Sequence, residues 1–281
     1  MVGRTGLARK AAEAAKGARA WLGDAYEPHI RTQDVRSSGR KSRPKYQGRE
    51  LHLLSDLEVR AFRHFQWDPN VFGIEEQYYL EIEDTTRLAA EAGARHPLVI
   101  GTDEPFEMTT DLVIYHQVER GERRIARAIK YSKDLELGLA QTPSERNKVM
   151  GTLAKLEIER RYWAERNVHW AVLTELELSE EQQRNIEWLL SCSLDGARPD
   201  GFWQEAADRL CEALVASDGA RVIDLQRELD AEGVLGQTDF TQCLRHLCAT
   251  RQLAFDMEQR FSLLRPVSDF TFTVSPMKLV R

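Results

Sequence analysis

Residues 109–132 read TTDLVIYHQVERGERRIARAIKYS, and the reading of the fold turns on them. Two runs with β-rich pattern, 109–118 and 125–132, flank a polar turn with Gly121 near its centre, which predicts a β-hairpin. Side chains two apart on a strand share a face, so Ala126, Ala128 and Lys130 point together while Ile125, Arg127 and Ile129 point the other way. Asp111, at the start of the partner strand, reaches the place where Lys130 ends. The alanines before that lysine are small and leave space for a ligand.

Upstream, SDLEVRAFRHFQW at 55–67 opens on Ser55 as N-cap and sets Leu57, Ala61, Phe62 and Phe65 on one face of a helix that stops before Asp68-Pro69. VFGIEEQYYLEI then predicts a strand, and TTRLAAEAG a short helix ended by Gly93. A polar loop runs from there to Pro105. Downstream, helical periodicity returns from Pro143 to Arg166, and VHWAVLTEL predicts another buried strand. Helix, strands, helix, strand in this order predict an α/β (α+β) unit, a mixed sheet flanked by helices, over 49–174.

From about 175 the pattern changes to short helices, and TDFTQCLRHLCATRQ follows a Gly-containing turn. With the apolar runs LAFDM and RFSLL behind it, this predicts a winged-helix domain over 175–265. Residues 266–281 read as an extended tail. Residues 1–48 predict a short Ala-rich helix followed by an extended arm. Residues 1–50 hold 12 Lys or Arg against 5 Asp or Glu, although the whole chain has a formal net charge of -6. A basic arm suits phosphates, and an acidic body suits metal ligands and protein partners; a disordered soluble tail is the plainer reading of the same charges.

No window approaches a membrane span, and the N-terminus lacks the apolar core of a secretory signal, so a cytoplasmic location is expected. The 4 cysteines have no CxxC spacing and predict buried thiols rather than zinc or disulfides. The histidines form no HxH or HExxH pattern.

Cutting a phosphodiester takes an activated water and a way to neutralise a pentavalent phosphate. Mg2+ on one or two carboxylates supplies both, with a lysine adding positive charge. Glu58, Asp111 and Lys130 come from three chain segments that this fold brings together, and the backbone carbonyl of Ile129 is a further metal ligand beside Glu58 and Asp111. Singly, each has a structural reading: Glu58 fits a capping box with Ser55, Asp111 a turn, and Lys130 a snorkelling edge-strand lysine. Glu157 and Glu159 can approach the site as a further carboxylate, but read first as helix-surface charges beside Lys155 and Arg160; Trp163 and Trp170 read as core rather than base-stacking platforms. The 238–252 helix has only Arg245, His246 and Arg251 as bases, which favours protein binding over base reading.

The Asp111 to Lys130 spacing resembles the PD-(D/E)xK signature of restriction-endonuclease-like nucleases. DVRSSGR (34–40), LHLLSDLEVRAF (51–62), DPNVFGIEEQYYL (68–80), HP (96–97), TTDLVIY (109–115), IKYS (129–132) and KLEIERRYW (155–163) together resemble the TnsA family, endonuclease subunits of heteromeric transposases. The resemblance implies an Mg2+-dependent endonuclease, with two ions and Mn2+ able to substitute, acting at the nucleoid. Its substrate would be double-stranded DNA at transposon ends, where it cuts the 5′ strands. A TnsB-type DDE transposase would cut the 3′ strands, and a TnsC-type AAA+ ATPase would engage the C-terminal region. Glu58, Asp111 and Lys130 fall on the family's acidic, acidic and lysine positions. Ala128 departs from it, standing where Gln or an acid is usual. A stand-alone restriction or repair nuclease, and a DNA-binding scaffold with weakened metal binding, are the competing functions.

Overall fold

The computed structural model describes residues 23–34, 40–194, 198–217 and 219–273; the Ala-rich segment at 1–22 and most of DVRSSGR lie outside the described residues. The chain divides into two compact units, Met1–Leu178 and Ser179–Arg281.

The first unit is built on a mixed sheet. β1 (Lys45–Tyr46) and β2 (Arg49–Glu50) form a small ribbon, followed by α1 (Asp56–Trp67), β3 (Val71–Tyr79) and α2 (Ile82–Glu91). β4 (Thr109–Val118), β5 (Gly121–Ile129), α3 (Pro143–Glu165) and β6 (His169–Leu173) complete it. The order is β3-β4-β5-β6, with β3, β4 and β5 antiparallel and β6 parallel to β5. The hairpin forms with Leu112 opposite Arg127 and Ile114 opposite Ile125. Its turn is tighter than the sequence suggests: Val118 pairs with Gly121, whose φ of 118° suits a residue without a Cβ.

Helices cover the two faces of this sheet, as the alternation of the strands requires. Leu57, Ala61 and Phe62 of α1 pack with Leu51, Leu53, Ile74, Leu112, Ile114, Ile125 and Ile129 on one face. Ile158, Tyr162 and Trp163 of α3 pack with Leu88, Tyr78, Val113, Tyr115 and Ala126 on the other. Phe62 and Trp163 are fully buried, and truncating either to Ala should cost about 3–5 kcal/mol. α3 starts on a capping box, with Thr142 Oγ1 accepting from the Glu145 amide at 3.2 Å and Glu145 accepting from the Thr142 amide at 3.0 Å.

Several expectations shift. Ala126 and Ala128 border no open space: both are buried, Ala126 within the α3-side core. β6 is a half-buried edge strand, not a buried one. The segment read as an arm is partly structural, because Tyr26 and Tyr46 are buried in the two cores and Gln47 Nε2 donates to the Phe72 carbonyl of β3 at 3.0 Å. Its mixture of Pro, Gly, Ser and Arg masks those single aromatic anchors.

The second unit holds α4 (Glu180–Leu190), α5 (Phe202–Ala216), α6 (Val222–Ala231), α7 (Gln237–Ala249), β7 (Leu253–Ala254) and β8 (Thr271–Phe272). β7, in LAFDM, pairs with β8, a strand inside the stretch read as a tail, where Val267 and Phe270 are also buried. Residues 257–261 are held by the buried Asn185, whose amide donates to the Met257 and Gln259 carbonyls and accepts from the Phe261 amide. Cys211, Cys243 and Cys248 are buried free thiols and Cys192 a half-buried one. Among the described residues no helix is long and apolar enough to cross a membrane.

Candidate active site

Glu58 sits in the first turn of α1, one residue beyond Leu57, and is carried inward with it until only 6 % of its surface is exposed. Ser55 Oγ accepts from the Glu58 amide at 3.2 Å and donates to Glu58 Oε1 at 2.9 Å. Glu58 Oε2 accepts from the Leu54 amide at 2.9 Å and from Gln77 Nε2 at 3.2 Å. Its two readings are therefore compatible: the helix cap fixes the rotamer that delivers the carboxylate. Burial raises its pKa, the Asp111 charge raises it further, and the Leu54 amide opposes both.

Asp111 Oδ2 accepts from the Ile129 amide at 2.6 Å and from Lys130 Nζ at 2.7 Å, and Lys130 Nζ also donates to the Ile129 carbonyl at 2.9 Å. Burial works against the charge on Lys130 more strongly than any other single effect. Asp111, by its charge and its hydrogen bond, together with Glu159 and Glu58, outweighs it and raises the pKa, so the side chain stays an ammonium. Of the three residues singled out in the sequence, Asp111 and Lys130 are in direct contact, and Glu58 lies near enough for the charges of both to act on its carboxyl. The ammonium occupies the gap between Asp111 and the Ile129 carbonyl, two of the three oxygen sources expected to hold a metal.

Glu159 was misread. Glu157 does lie on the helix surface, held by Arg160 at 2.8 Å and Arg161 at 2.6 Å. Glu159 is buried on α3, accepts from Trp170 Nε1 at 2.9 Å, and has its pKa pushed up to about 7, first by burial and then by Asp111. The signal was in the spacing: Glu159 stands three residues before Tyr162 and four before Trp163, inside the apolar stripe of α3. Ala128 shares the alternation of Ala126, which faces α3, the helix that carries Glu159.

The donor chemistry suits a hard cation. Among the described residues no cluster of three or more His, Cys, Asp and Glu side chains forms a ready metal cage. The groups available are instead carboxylates and a main-chain carbonyl already gathered around one positive charge. A sparse oxygen set of this kind fits Mg2+, which keeps several of its waters, and not zinc.

In the second unit, the bases singled out on α7 are engaged or neutral. Arg245 Nε donates to the Trp188 carbonyl at 2.6 Å and its guanidinium lies over the Trp188 ring, while burial lowers the pKa of His246.

Two family models match the chain: TnsA-like endonuclease N terminal over residues 68–175, and TnsA endonuclease C terminal over 177–257. Transposon Tn7 transposition protein TnsA of Escherichia coli is 34 % identical over 241 residues, covering 85 % of this chain and 82 % of that protein.

Proposed function

The chain belongs to the TnsA endonuclease family, whose members are endonuclease subunits of transposases, and from that premise we propose that it cuts the 5′ strands at transposon ends, with Mg2+, through Glu58, Asp111 and Lys130. The observation that carries the reading is the meeting of Lys130 Nζ with Asp111 Oδ2 at 2.7 Å and the Ile129 carbonyl at 2.9 Å, with Glu58 acting electrostatically on both.

Asp111, Glu58 and the Ile129 carbonyl would hold the ion. Bound there, Mg2+ supplies a Lewis acid to the phosphate oxygens and a water of lowered pKa. The chain's own groups do the rest. Lys130, freed from the Ile129 carbonyl, turns to the scissile phosphate and neutralises charge that builds on its oxygens. Asp111, with Glu159 and Glu58 behind it, keeps that ammonium protonated. Glu159 serves as the carboxylate that Ala128 does not provide. The restriction-endonuclease-like PD-(D/E)xK assignment of the first unit belongs to this proposal.

The partners follow the same reading: a TnsB-type DDE transposase cutting the 3′ strands, and a TnsC-type AAA+ ATPase engaged by the C-terminal unit, here read as a winged helix. The occupied Arg245 and the uncharged His246 support a protein partner for that unit, since reading base edges needs free cationic side chains.

Incubating the purified chain with its transposase, end-containing DNA and Mg2+ should produce 5′-strand cuts. Asp111→Ala and Lys130→Ala should each abolish them, and undiminished cutting by both variants would reject the assignment.

A further inference from the structure

On β3, Ile74 points to the α1 side of the sheet, and so does Glu76, which meets Arg49 and the His52 amide there. Glu75 points to the α3 side, where it accepts from the Tyr115 hydroxyl at 2.8 Å. A period of two would next send Tyr78 to the α1 side. Tyr78 instead packs against Trp163, with ring centroids 5.2 Å apart, and the Gln77 side chain turns to Glu58.

β4 changes phase at the same level. Leu112 and Ile114 lie on the α1 side and Val113 and Tyr115 on the α3 side, yet Thr110, which by alternation belongs with Leu112, accepts from Trp163 Nε1 at 2.7 Å. The pairings Glu76↔Leu112 and Tyr78↔Thr110 bracket the change, so it falls on Gln77 and Asp111 facing each other. Gln77 has a φ of 48°, the left-handed region that a glutamine rarely enters and never needs in a regular strand. Such a conformation persists only where its surroundings over-determine it. Here the Tyr26 hydroxyl holds the Glu76 carbonyl at 2.8 Å and the His29 amide holds the Gln77 carbonyl at 3.2 Å.

The side chain is fixed as firmly. Gln77 is 2 % exposed; its Nε2 donates to Glu58 Oε2 at 3.2 Å, and its Oε1 accepts from Thr109 Oγ1 at 3.1 Å. One amide thus links the α1 carboxylate to β4, two residues before Asp111.

We propose that Gln77 is a positioning residue of the nuclease site: its left-handed backbone inverts the side-chain phase of β3 and β4 at Asp111, and its amide clamps Glu58 against β4 so that both carboxylates face one ion. The proposal rests on the nuclease reading above. The phase change leaves Asp111 between the sheet's two faces, within the influence of Glu58 from the α1 side and of Glu159 from the α3 side. An unbroken alternation would commit it to one face.

Gln77→Gly tests the amide while leaving the backbone free to keep its φ. In the full chain, this variant should still melt cooperatively, at a lower temperature than the parent because the two hydrogen bonds of a buried amide are lost, and bind Mn2+ by calorimetry about tenfold more weakly, the size of loss usual when a group that orients a metal ligand is removed. With the transposase and end DNA, it should cut about tenfold more slowly at subsaturating Mg2+ and recover at saturation. Thr109→Val releases the amide's anchor without changing a residue of β3 and should weaken Mn2+ binding in the same direction, by less than the roughly tenfold of Gln77→Gly; it decides the matter if Gln77→Gly fails to fold. Parental Mn2+ affinity in both variants, beside an Asp111→Ala variant that no longer cuts, overturns the proposal alone. Cutting by Asp111→Ala overturns the nuclease reading and the proposal with it.

Discussion

The two units bury polar groups on different terms. In the second unit Asn185 makes all three of its hydrogen bonds to backbone, Gln226 Nε2 donates to the Gln237 carbonyl and the Thr241 hydroxyl, and Asp239 is met by Arg198 at 2.6 and 2.7 Å. Its buried thiols are pushed up by burial, to about 12 for Cys243 and Cys248, and stay protonated. In the first unit Glu58 and Glu159 are each raised by burial and by the charge of Asp111, and all three carboxylates share a single lysine. The contrast also exists within the first unit, where Glu76 is buried just as deeply but fully matched by Arg49 and the His52 amide. Burial of charge is therefore not the mark of a site. An incomplete match between buried charge and its partners is, because a folded protein keeps such a mismatch only where something else completes it.

Neutralising a group without changing its shape separates the two kinds most sharply. Glu159→Gln should lower end cutting about 10^3-fold, within the usual range for losing a group that handles or holds protons at a site, while metal-free stability at pH 8 stays level or rises. Glu157→Gln, two residues away on the surface, should cut within about twofold of the parent, as surface changes usually do. Equal losses in the two variants, measured by single-turnover cleavage, would remove Glu159 from the site. Asn185→Ala should do the reverse: about 1–3 kcal/mol off the urea stability of the chain, since two carbonyls and an amide lose the buried partner that holds 257–261, with the metal affinity of the first unit unchanged.

What the sequence discloses follows from how locally each feature is determined. Ser55, the stripe of Leu57, Ala61 and Phe62, and the stop at Asp68-Pro69 fix α1 within a dozen residues, and the helix spans Asp56–Trp67 as the pattern predicts. The hairpin is legible for the same reason, and with it the meeting of Asp111 and Lys130. Glu159 was legible in its periodicity but hidden by the charges around it at 157–161. The left-handed Gln77 was not legible, since nothing about glutamine favours that conformation and the groups that hold it, Tyr26 and His29, lie about fifty residues upstream. Nor was β8: two residues carry no periodicity, and Thr271–Phe272 is placed by the packing of Phe255, Phe261 and Phe270 on one another.

The mismatch in the first unit should be visible as a pH dependence. Glu58 and Glu159 have folded pKa values raised above the ordinary carboxylate value of 4.5, Glu159 to about 7. A raised carboxylate binds its proton more tightly in the folded state, so its contribution is fully present below 4.5 and is lost as pH climbs through about 7. Metal-free chain should lose on the order of 2 kcal/mol between pH 5 and pH 8, and Mg2+ should restore more of it at pH 8 than at pH 5. Thermal melts of the chain at both pH values, with and without Mg2+, check this; a flat profile would mean that the carboxylates are compensated already. The thiols of the second unit leave that window unaffected, because they remain protonated throughout it.

The smallest expected effect is also the cleanest comparison, since each unit has a helix capped by serine. Ser55 Oγ accepts from the Glu58 amide at 3.2 Å, and Ser179 Oγ accepts from the Gln182 amide at 3.1 Å. Replacing either with Ala should cost about 1 kcal/mol, the usual worth of an N-cap. Ser55 alone also donates to a carboxylate of the site, Glu58 Oε1 at 2.9 Å. Ser55→Ala should therefore also weaken Mn2+ binding, by less than the roughly tenfold usual when a group that orients a ligand is removed, since the Leu54 amide and Gln77 still hold Glu58, while Ser179→Ala loses stability only. If calorimetry finds the two variants binding Mn2+ alike, the cap of α1 is a cap and nothing more, and Glu58 is held well enough by Leu54 and Gln77 without it.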